Sequence, residues 1–304
     1  MSGWRPSGVV SVLPTAFHDD GSLDEAGTEA LVRAHVAAGV DGITVLGVMG
    51  EAAELAEDER DRVVEVVVRA ADGLPVVMGI SGATPDAVVS RARRASRTGV
   101  TAVMVSPAAS VSLRDAVESA AAGGLPIVVQ DYPAGSGVAV TPAEIVAAAD
   151  AQPLVACVKA EAPPTAGAIA ELHRLRPGLA VMGGLGGLFL PDELRAGATG
   201  TMTGFALPER LVRIVASFAS SPEDAEADWE ALLPLMRFEA FAPFNLAARK
   251  EVWRLRGVIR SARCRRAGAT LDAEARASVR RAFDRLSQRP GPVGPARAGV
   301  EARA

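Results

Sequence analysis

Two lysines stand out in this chain of 304 residues, because its thirty other Lys or Arg residues are all arginine. A lysine amine can lose its proton and attack a carbonyl carbon, whereas an arginine guanidinium stays protonated. Codon usage in a GC-rich genome would account for the general excess of arginine. It does not account for the lysines that remain, which are therefore candidates for chemistry. They are Lys159 and Lys250.

Lys159 follows the apolar run 154–158 directly. Side chains alternate along a strand, so Val155, Cys157, Lys159 and Glu161 are predicted to share one face. If that face is the interior of a barrel, desolvation favours the neutral, nucleophilic amine. The alternative is a lysine that extends from a strand end into solvent.

Lys250 lies between Arg249 and Glu251 on a predicted helix that is rich in charge. Charged side chains grouped along a helix usually form its solvated face. We therefore expect Lys250 to be exposed and to have no part in chemistry.

Two glycine-containing loops could bind an anion. The segment Gly47-Val48-Met49-Gly50-Glu51 follows a predicted strand and precedes a helix, where backbone N–H groups can turn toward an anion. The segment 183–187 follows the seventh predicted strand, a place where many barrels bind phosphate. A tight turn without a ligand would account for the same glycines, and a phosphosugar enzyme is a further alternative.

These residues lie in a repeated pattern of a short apolar strand, a loop and an amphipathic helix. The predicted strands are Val9–Leu13, Gly42–Leu46, Pro75–Gly79, Thr101–Val105, Pro126–Gln130, Leu154–Lys159, Ala180–Gly183 and Thr199–Thr203. Continuously apolar strands are typical of parallel sheets covered on both faces, and eight units in about 200 residues predict an α/β fold, the (β/α)₈ TIM barrel. A doubly wound open sheet is less favoured, because the segment 9–17 contains no G-x-G-x-x-G motif.

After Gly204 the pattern changes to helices without strands. The predicted helices are Pro208–Phe218, Asp224–Phe241, Leu246–Ser261 and Asp272–Ser287. We therefore predict a barrel over residues 1–207, a C-terminal helical extension packed on it over 208–288, and a disordered tail over 289–304.

Composition excludes several classes of protein. The net charge is −4 and no basic run is present, so nucleic acid is not an expected partner. The sequence contains no unbroken run of 18 apolar residues, so no membrane span is predicted. The first residues do not have the pattern of a signal peptide. Three scattered histidines and two cysteines predict neither a metal site nor a disulfide framework. The expectation is a soluble cytoplasmic protein.

Taken together, the motifs resemble the dihydrodipicolinate synthase and N-acetylneuraminate lyase family over most of the chain, from Val9 to about Ser287. The segments that carry the resemblance are Thr15-Ala16-Phe17, Asp20–Asp24, Gly47–Glu51, Gln130–Pro133, Val158-Lys159 and Gly197–Gly200. The resemblance implies that Lys159 forms an imine with the C2 carbonyl of pyruvate or another 2-oxo acid. It also implies that no metal or organic cofactor is needed, and that the protein is a homodimer or homotetramer.

The chain departs from the family pattern where protons are moved. Two hydroxyl residues of the family's loop fall on Val48 and Met49, and its fifth-strand tyrosine falls on Gln130, with Tyr132 as a possible substitute. The tyrosine that reaches across the dimer falls within the segment 107–109, and the arginine that holds an aldehyde substrate falls on Gly135. A typical dihydrodipicolinate synthase is therefore not expected.

The resulting prediction is a lyase or aldolase that acts on a 2-oxo acid through a Schiff base, with C–C cleavage, condensation or dehydration. The expected catalytic residues are Lys159, Tyr132 and Gln130. The expected substrate-binding residues are Gly47, Val48, Met49, Gly50, Glu161, Gly183, Met202 and Thr203. The alternative is a non-catalytic barrel that binds a small ligand and has lost the family's proton relay.

Overall fold

Eight parallel strands form the centre of the protein in the computed structural model, which describes residues 4–288. The strands are β1 (Gly8–Val12), β2 (Gly42–Val45), β3 (Val76–Gly79), β4 (Ala102–Val105), β5 (Ile127–Asp131), β6 (Val155–Ala160), β7 (Ala180–Met182) and β8 (Gly200–Thr203). Each strand pairs with its neighbours in chain order, and β1 also pairs with β8. The predicted TIM barrel is confirmed, and all eight predicted strands are present.

The ring closes between β7 and β8 through one glycine. Gly183 donates its N–H to the oxygen of Gly200 at 3.1 Å and accepts from the N–H of Met202 at 2.9 Å. A parallel bridge joins Gly183 to Thr201 at the same place. A closed barrel has no free sheet edge, so every strand end can contribute to one shared mouth.

The barrel interior is filled by a separate apolar cluster. Its buried members are Val10, Val12, Val77, Ala102, Met104, Val128, Cys157, Ala180, Met182 and Met202. Val155 packs instead in the shell between the sheet and the helices. The register shifts between Ile127 and Val128 of β5, which pair with Val155 and Cys157, so Ala156 is an extra residue on β6. Such a bulge breaks the alternation of side chains, and the prediction that Val155 shares a face with Cys157 is therefore wrong.

Helices cover the outside of the sheet. Those of the barrel are α1 (Glu25–Ala37), α2 (Glu57–Ala70), α3 (Pro85–Ala95), α4 (Leu113–Ala120), the single turn α5 (Pro133–Ser136), α6 (Pro142–Ala151), α7 (Thr165–Leu175) and α8 (Leu190–Arg195). Several begin at a side-chain cap; for example, Thr141 accepts from the N–H of Glu144, whose carboxylate accepts from the N–H of Thr141. This reciprocal capping fixes where the helix starts and therefore how long the loop before it is.

The C-terminal extension is helical, as predicted. It comprises α9 (Pro208–Phe218), α10 (Pro222–Glu230), α11 (Leu233–Glu239), α12 (Asn245–Leu255) and α13 (Ala273–Ser287). The single helix predicted over Asp224–Phe241 is wrong, because it is two helices. Pro234 has no N–H to donate to Glu230, which is the bond that a continuous helix would need there. The predicted tail, 289–304, lies outside the described residues, and none of the described helices is both long and apolar enough to cross a membrane.

Candidate active site

Lys159 lies at the carboxyl end of β6 on the inner face of the barrel. Cys157 belongs to the interior cluster, and Lys159, two residues further, is on the same face of the strand. Its side chain is 6 % exposed, and it pairs in register with Gln130 of β5. The alternative of a lysine extending into solvent is excluded by this burial.

Glu161 connects Lys159 to the two neighbouring strands. One oxygen of its carboxylate, Oε2, lies 2.9 Å from Lys159 Nζ and accepts a 2.7 Å hydrogen bond from Gln130 Nε2. The other oxygen, Oε1, accepts from the backbone N–H of Leu185 at 3.1 Å. The carboxylate is therefore held against the Lys159 amine by donors from β5 and from the loop after β7.

Two further buried carboxyl groups surround this pair, and sequence reasoning missed both. Burial, with the charge of Glu161 adding to it, raises the pKa of Asp131 to about 6. Burial likewise raises the pKa of Glu193 to about 7, and this effect outweighs the opposing effects of Thr165 and of the Gly184 backbone. Glu193 is three residues after Leu190 on α8, so both lie on the same face of the helix. This spacing was the one sequence signal that could have predicted the burial of Glu193.

The loop after β2 presents two backbone donors to the barrel mouth. Residues Val48–Gly50 form a 3-10 turn in which Gly50 donates its N–H to the oxygen of Gly47 at 2.9 Å. The Gly50 N–H is therefore already bonded within the turn. The N–H groups of Val48 and Met49, at the start of the turn, make no hydrogen bond within residues 4–288 and can donate to an anion.

Lys250 is completely buried, so the prediction of a solvated lysine is wrong. Its Nζ donates to Glu51 Oε1 and, at 2.8 Å, to the oxygen of Arg263. Glu51 Oε2 accepts from the backbone N–H groups of Arg265 and Arg266 at 2.7 Å each. The partners of Lys250 come from distant segments, which the local sequence pattern does not reveal. These contacts connect the loop after β2 to the C-terminal extension.

A cavity of about 760 Å³ opens beside this loop, above strands β2 to β5. Gly47, Val48, Met49, Gln130 and Tyr132 line it. Burial raises the pKa of Tyr132, and the charge of Glu161 raises it further, so the hydroxyl stays protonated. Tyr132 lines this cavity, and its hydroxyl makes no hydrogen bond to Lys159 or Glu161 in the described chain.

Three other predicted site residues have mainly supporting contacts. Met202 is fully buried in the interior cluster, and Thr203 Oγ1 accepts from the N–H of Gly186 at 2.7 Å. Gly183 closes the barrel, and a Cβ there would be 1.7 Å from Glu193 Oε2, so only glycine fits. The loop's Leu185 and Gly186 N–H groups are already bonded and a carboxyl group lies below them, which disfavours phosphate binding there.

Comparison with known proteins assigns the family. The sequence profile of the Dihydrodipicolinate synthetase family matches residues 5–286. The chain belongs to this family. It is 33 % identical over 291 residues to an L-2-keto-3-deoxyarabonate dehydratase of Azospirillum brasilense, covering 90 % of this chain and 93 % of that protein. The resemblance drawn from the sequence motifs is confirmed.

Relatives within the dihydrodipicolinate synthetase family differ in reaction. A 4-hydroxy-tetrahydrodipicolinate synthase of Haloarcula marismortui is 31 % identical over 82 % of this chain and 84 % of its own length. A crystal structure of dihydrodipicolinate synthase from Rhodopseudomonas palustris superposes with a TM-score of 0.88 at 31 % identity, covering 93 % of this chain and 99 % of that one. These similarities support an enzyme of the lyase and dehydratase class over the non-catalytic alternative.

Glu193 gives a stability prediction that does not involve substrate. Its pKa is raised from 4.5 to about 7, so the folded protein binds more protons than the unfolded chain between these two pH values. The contribution of the protonated Glu193 carboxyl group to stability is therefore lost as pH rises through about 7. By linkage, the free energy of unfolding falls by about 3 kcal/mol. We expect Glu193→Gln to raise the urea midpoint at pH 8 relative to wild type and to leave it nearly equal at pH 4.5. Equal midpoints at pH 8 would contradict this prediction.

Proposed function

We propose that this protein is a Schiff-base lyase acting on a 2-oxo acid, and that its preferred reaction is loss of water from a 3-deoxy-2-oxo sugar acid. The observation that carries the proposal is the Glu161 carboxylate 2.9 Å from Lys159 Nζ at the barrel mouth. This arrangement puts a nucleophile and a general acid–base group within one hydrogen bond of each other. No metal or organic cofactor is needed in this scheme, because the iminium ion withdraws the electrons.

The substrate carboxylate would bind the free N–H groups of Val48 and Met49, which are charge-assisted donors for an anion. The loop follows β2 and Lys159 lies near the carboxyl end of β6, so the two lie on opposite sides of the eight-stranded ring. A 2-oxo acid placed between them would turn its C2 carbonyl toward the lysine and its longer end into the cavity above β3 to β5. Ser81 and Ser106 line that part of the cavity and can bind hydroxyl groups.

The reaction begins when Lys159 gives its proton to Glu161 and the free amine attacks C2. The carbinolamine loses water to form an iminium ion, and Glu161, again as the carboxylate, removes a proton from C3 to give the enamine. The enamine electrons then expel the C4 hydroxyl, which leaves as water with the proton held by Glu161. Hydrolysis of the new imine releases the dehydrated 2-oxo acid and restores the amine.

Dehydration is favoured over condensation with an aldehyde for two reasons. One carboxylate close to the lysine can move both protons of an elimination, so the missing family hydroxyls at Val48 and Met49 are less damaging. The relative that matches 90 % of the chain is itself named a dehydratase of a 2-keto-3-deoxy acid. Aldol cleavage of the C3–C4 bond remains the second candidate, since it uses the same enamine.

The decisive experiment traps the imine. The protein is incubated with pyruvate and with five- and six-carbon 3-deoxy-2-oxo sugar acids, reduced with borohydride and digested for mass spectrometry. We expect an adduct on Lys159, and, with the sugar acids, a product that has lost one water. The absence of any adduct on Lys159 across this panel would overturn the proposal, whereas pyruvate and an aldehyde as products would favour aldol cleavage.

Glu161→Gln tests the acid–base role separately from imine formation. The amide can still accept and donate hydrogen bonds but cannot carry the proton, so we expect kcat to fall about 10²- to 10⁴-fold. Borohydride trapping of pyruvate should become slower but should still modify Lys159. Glu171→Gln, which alters an exposed ion pair with Arg174 on α7, is the matched control and should retain wild-type rates. A Glu161→Gln variant with unchanged kcat would assign the proton transfers elsewhere.

The assembly also stays a prediction. The family resemblance implies a homodimer or homotetramer, and light scattering of the purified protein measures the mass directly. The expected partner is the small 2-oxo acid alone, and neither nucleic acid nor a membrane has a role in the proposed reaction.

A further inference from the structure

A second cavity is lined mainly by the C-terminal extension and is distinct from the 760 Å³ cavity beside the loop after β2. It has a volume of about 310 Å³ and is formed by α12, the segment 260–264 and the start of α13. Four arginines line it, Arg254, Arg260, Arg263 and Arg276, and we call it the arginine pocket. The two cavities share no lining residue. Its volume is at the lower end of small-ligand sites, about 300–1,000 Å³.

The arginine pocket carries an excess of positive charge. Its four arginines face two carboxylates, those of Asp19 and Glu251, which leaves an excess of two positive charges. Fully buried Glu251 accepts two hydrogen bonds from Arg254, at 2.9 and 2.7 Å, and one from Arg276 at 3.3 Å.

The remaining two arginines supply the free binding groups. Within residues 4–288, the guanidinium groups of Arg260 and Arg263 have neither a carboxylate partner nor a hydrogen-bond acceptor. Arg260 and Arg263 are both solvent-exposed, so a ligand can reach their guanidinium groups from solvent. Guanidinium groups bind carboxylate and phosphate oxygens through two parallel N–H bonds, and two such groups match a ligand with two negative charges.

The segment that carries Arg260 and Arg263 also holds the active-site loop. The oxygen of Arg263 accepts from Lys250 Nζ, which is paired with Glu51. The N–H groups of Arg265 and Arg266 donate to Glu51, and the Arg266 guanidinium donates to the oxygen of Val48. Residues 260–266 and the loop 47–51 are therefore joined through Lys250, Glu51 and Arg266, and a ligand bound to Arg260 and Arg263 would stabilise both segments together.

We propose that the arginine pocket binds a compact dianion, such as a phosphate ester or a small dicarboxylate, and that binding orders the active-site loop. The ligand would complete the coordination of Arg260 and Arg263 and fix the segment 260–266 against α12. The active-site loop would then present the N–H groups of Val48 and Met49 in one arrangement. The binding step is independent of the proposed imine chemistry.

Calorimetric titration at fixed ionic strength tests the binding step on the full chain. Inorganic phosphate and succinate are the two probes, and acetate is the singly charged control. We expect saturable binding of at least one dianion, and the stronger probe identifies the ligand as phosphate-like or dicarboxylic. Failure of both probes to saturate, or acetate binding as tightly as the better one, overturns the proposal.

Variants locate the site. Arg260→Ala and Arg263→Ala should each weaken binding about tenfold or more, because each removes a charge-assisted pair. Arg280→Ala removes an equally exposed arginine from α13 outside the pocket and should bind as the wild type does. If Arg280→Ala weakens binding as much as the pocket variants do, the loss of affinity reflects the net charge of the protein, and the proposed site is wrong.

Hydrogen exchange measures the coupling without any substrate. The bound dianion should slow amide exchange in residues 260–266 and in residues 47–51 of the wild type. It should slow neither segment when Arg260 and Arg263 are both alanine. Slowing confined to residues 260–266 would confirm the site and overturn the coupling to the active-site loop.

Discussion

Replacing Lys159 with arginine should lower kcat on the order of 10⁴-fold or more and abolish borohydride trapping by every 2-oxo acid. Arginine keeps the positive charge beside Glu161 but has no free amine to attack C2. The measurement is single-turnover conversion of a 3-deoxy-2-oxo sugar acid, combined with mass spectrometry of the reduced protein. Turnover close to that of the wild type would rule out the imine mechanism.

The Lys159→Arg result needs a control for folding, because the lysine side chain is 6 % exposed and a larger guanidinium could disturb the barrel. Lys159→Met removes the charge with little change in volume and should also fail to form an adduct. Urea midpoints of the two variants show whether the fold survives. If either folded variant is trapped by pyruvate, the amine that reacts is not Lys159.

The second large effect is expected on stability. Lys250→Met should lower the free energy of unfolding by about 3–5 kcal/mol, because it leaves the buried Glu51 carboxylate without its cation. Both side chains have no exposed surface, so solvent cannot compensate the lost charge. Urea unfolding followed by circular dichroism measures the change. A shift of the midpoint too small to detect would contradict the assigned role of Lys250 as the cation that stabilises Glu51.

A double variant separates the charge from the packing at this place. Glu51→Gln combined with Lys250→Met removes both charges and should recover a large part of the loss, as expected for two groups in contact. Arg254→Met is a milder comparison, since Arg276 remains beside Glu251 and the Arg254 side chain is 32 % exposed. A double variant that is as unstable as Lys250→Met would assign the effect to packing around α12.

The sequence alone determined the barrel, its eight strands and the choice of Lys159 as the candidate nucleophile. Parallel strands covered on both faces require continuously apolar runs, and such runs can be recognised without tertiary information. Scarcity of lysine in an arginine-rich chain then marked Lys159, and the order of the family motifs implied its chemistry. The same scarcity marked Lys250, but the adjacent charges favoured a solvated helix.

Only the tertiary structure decided which charged groups are buried and paired. Glu51 and Lys250 are 199 positions apart and Glu193 lies below Gly183, so no local pattern could bring them together. The bulge at Ala156 changed the face on which Val155 lies, because one extra residue reverses a two-residue alternation. Electrostatic partners and strand register depend on contacts between distant segments, whereas apolar periodicity is a property of each segment alone.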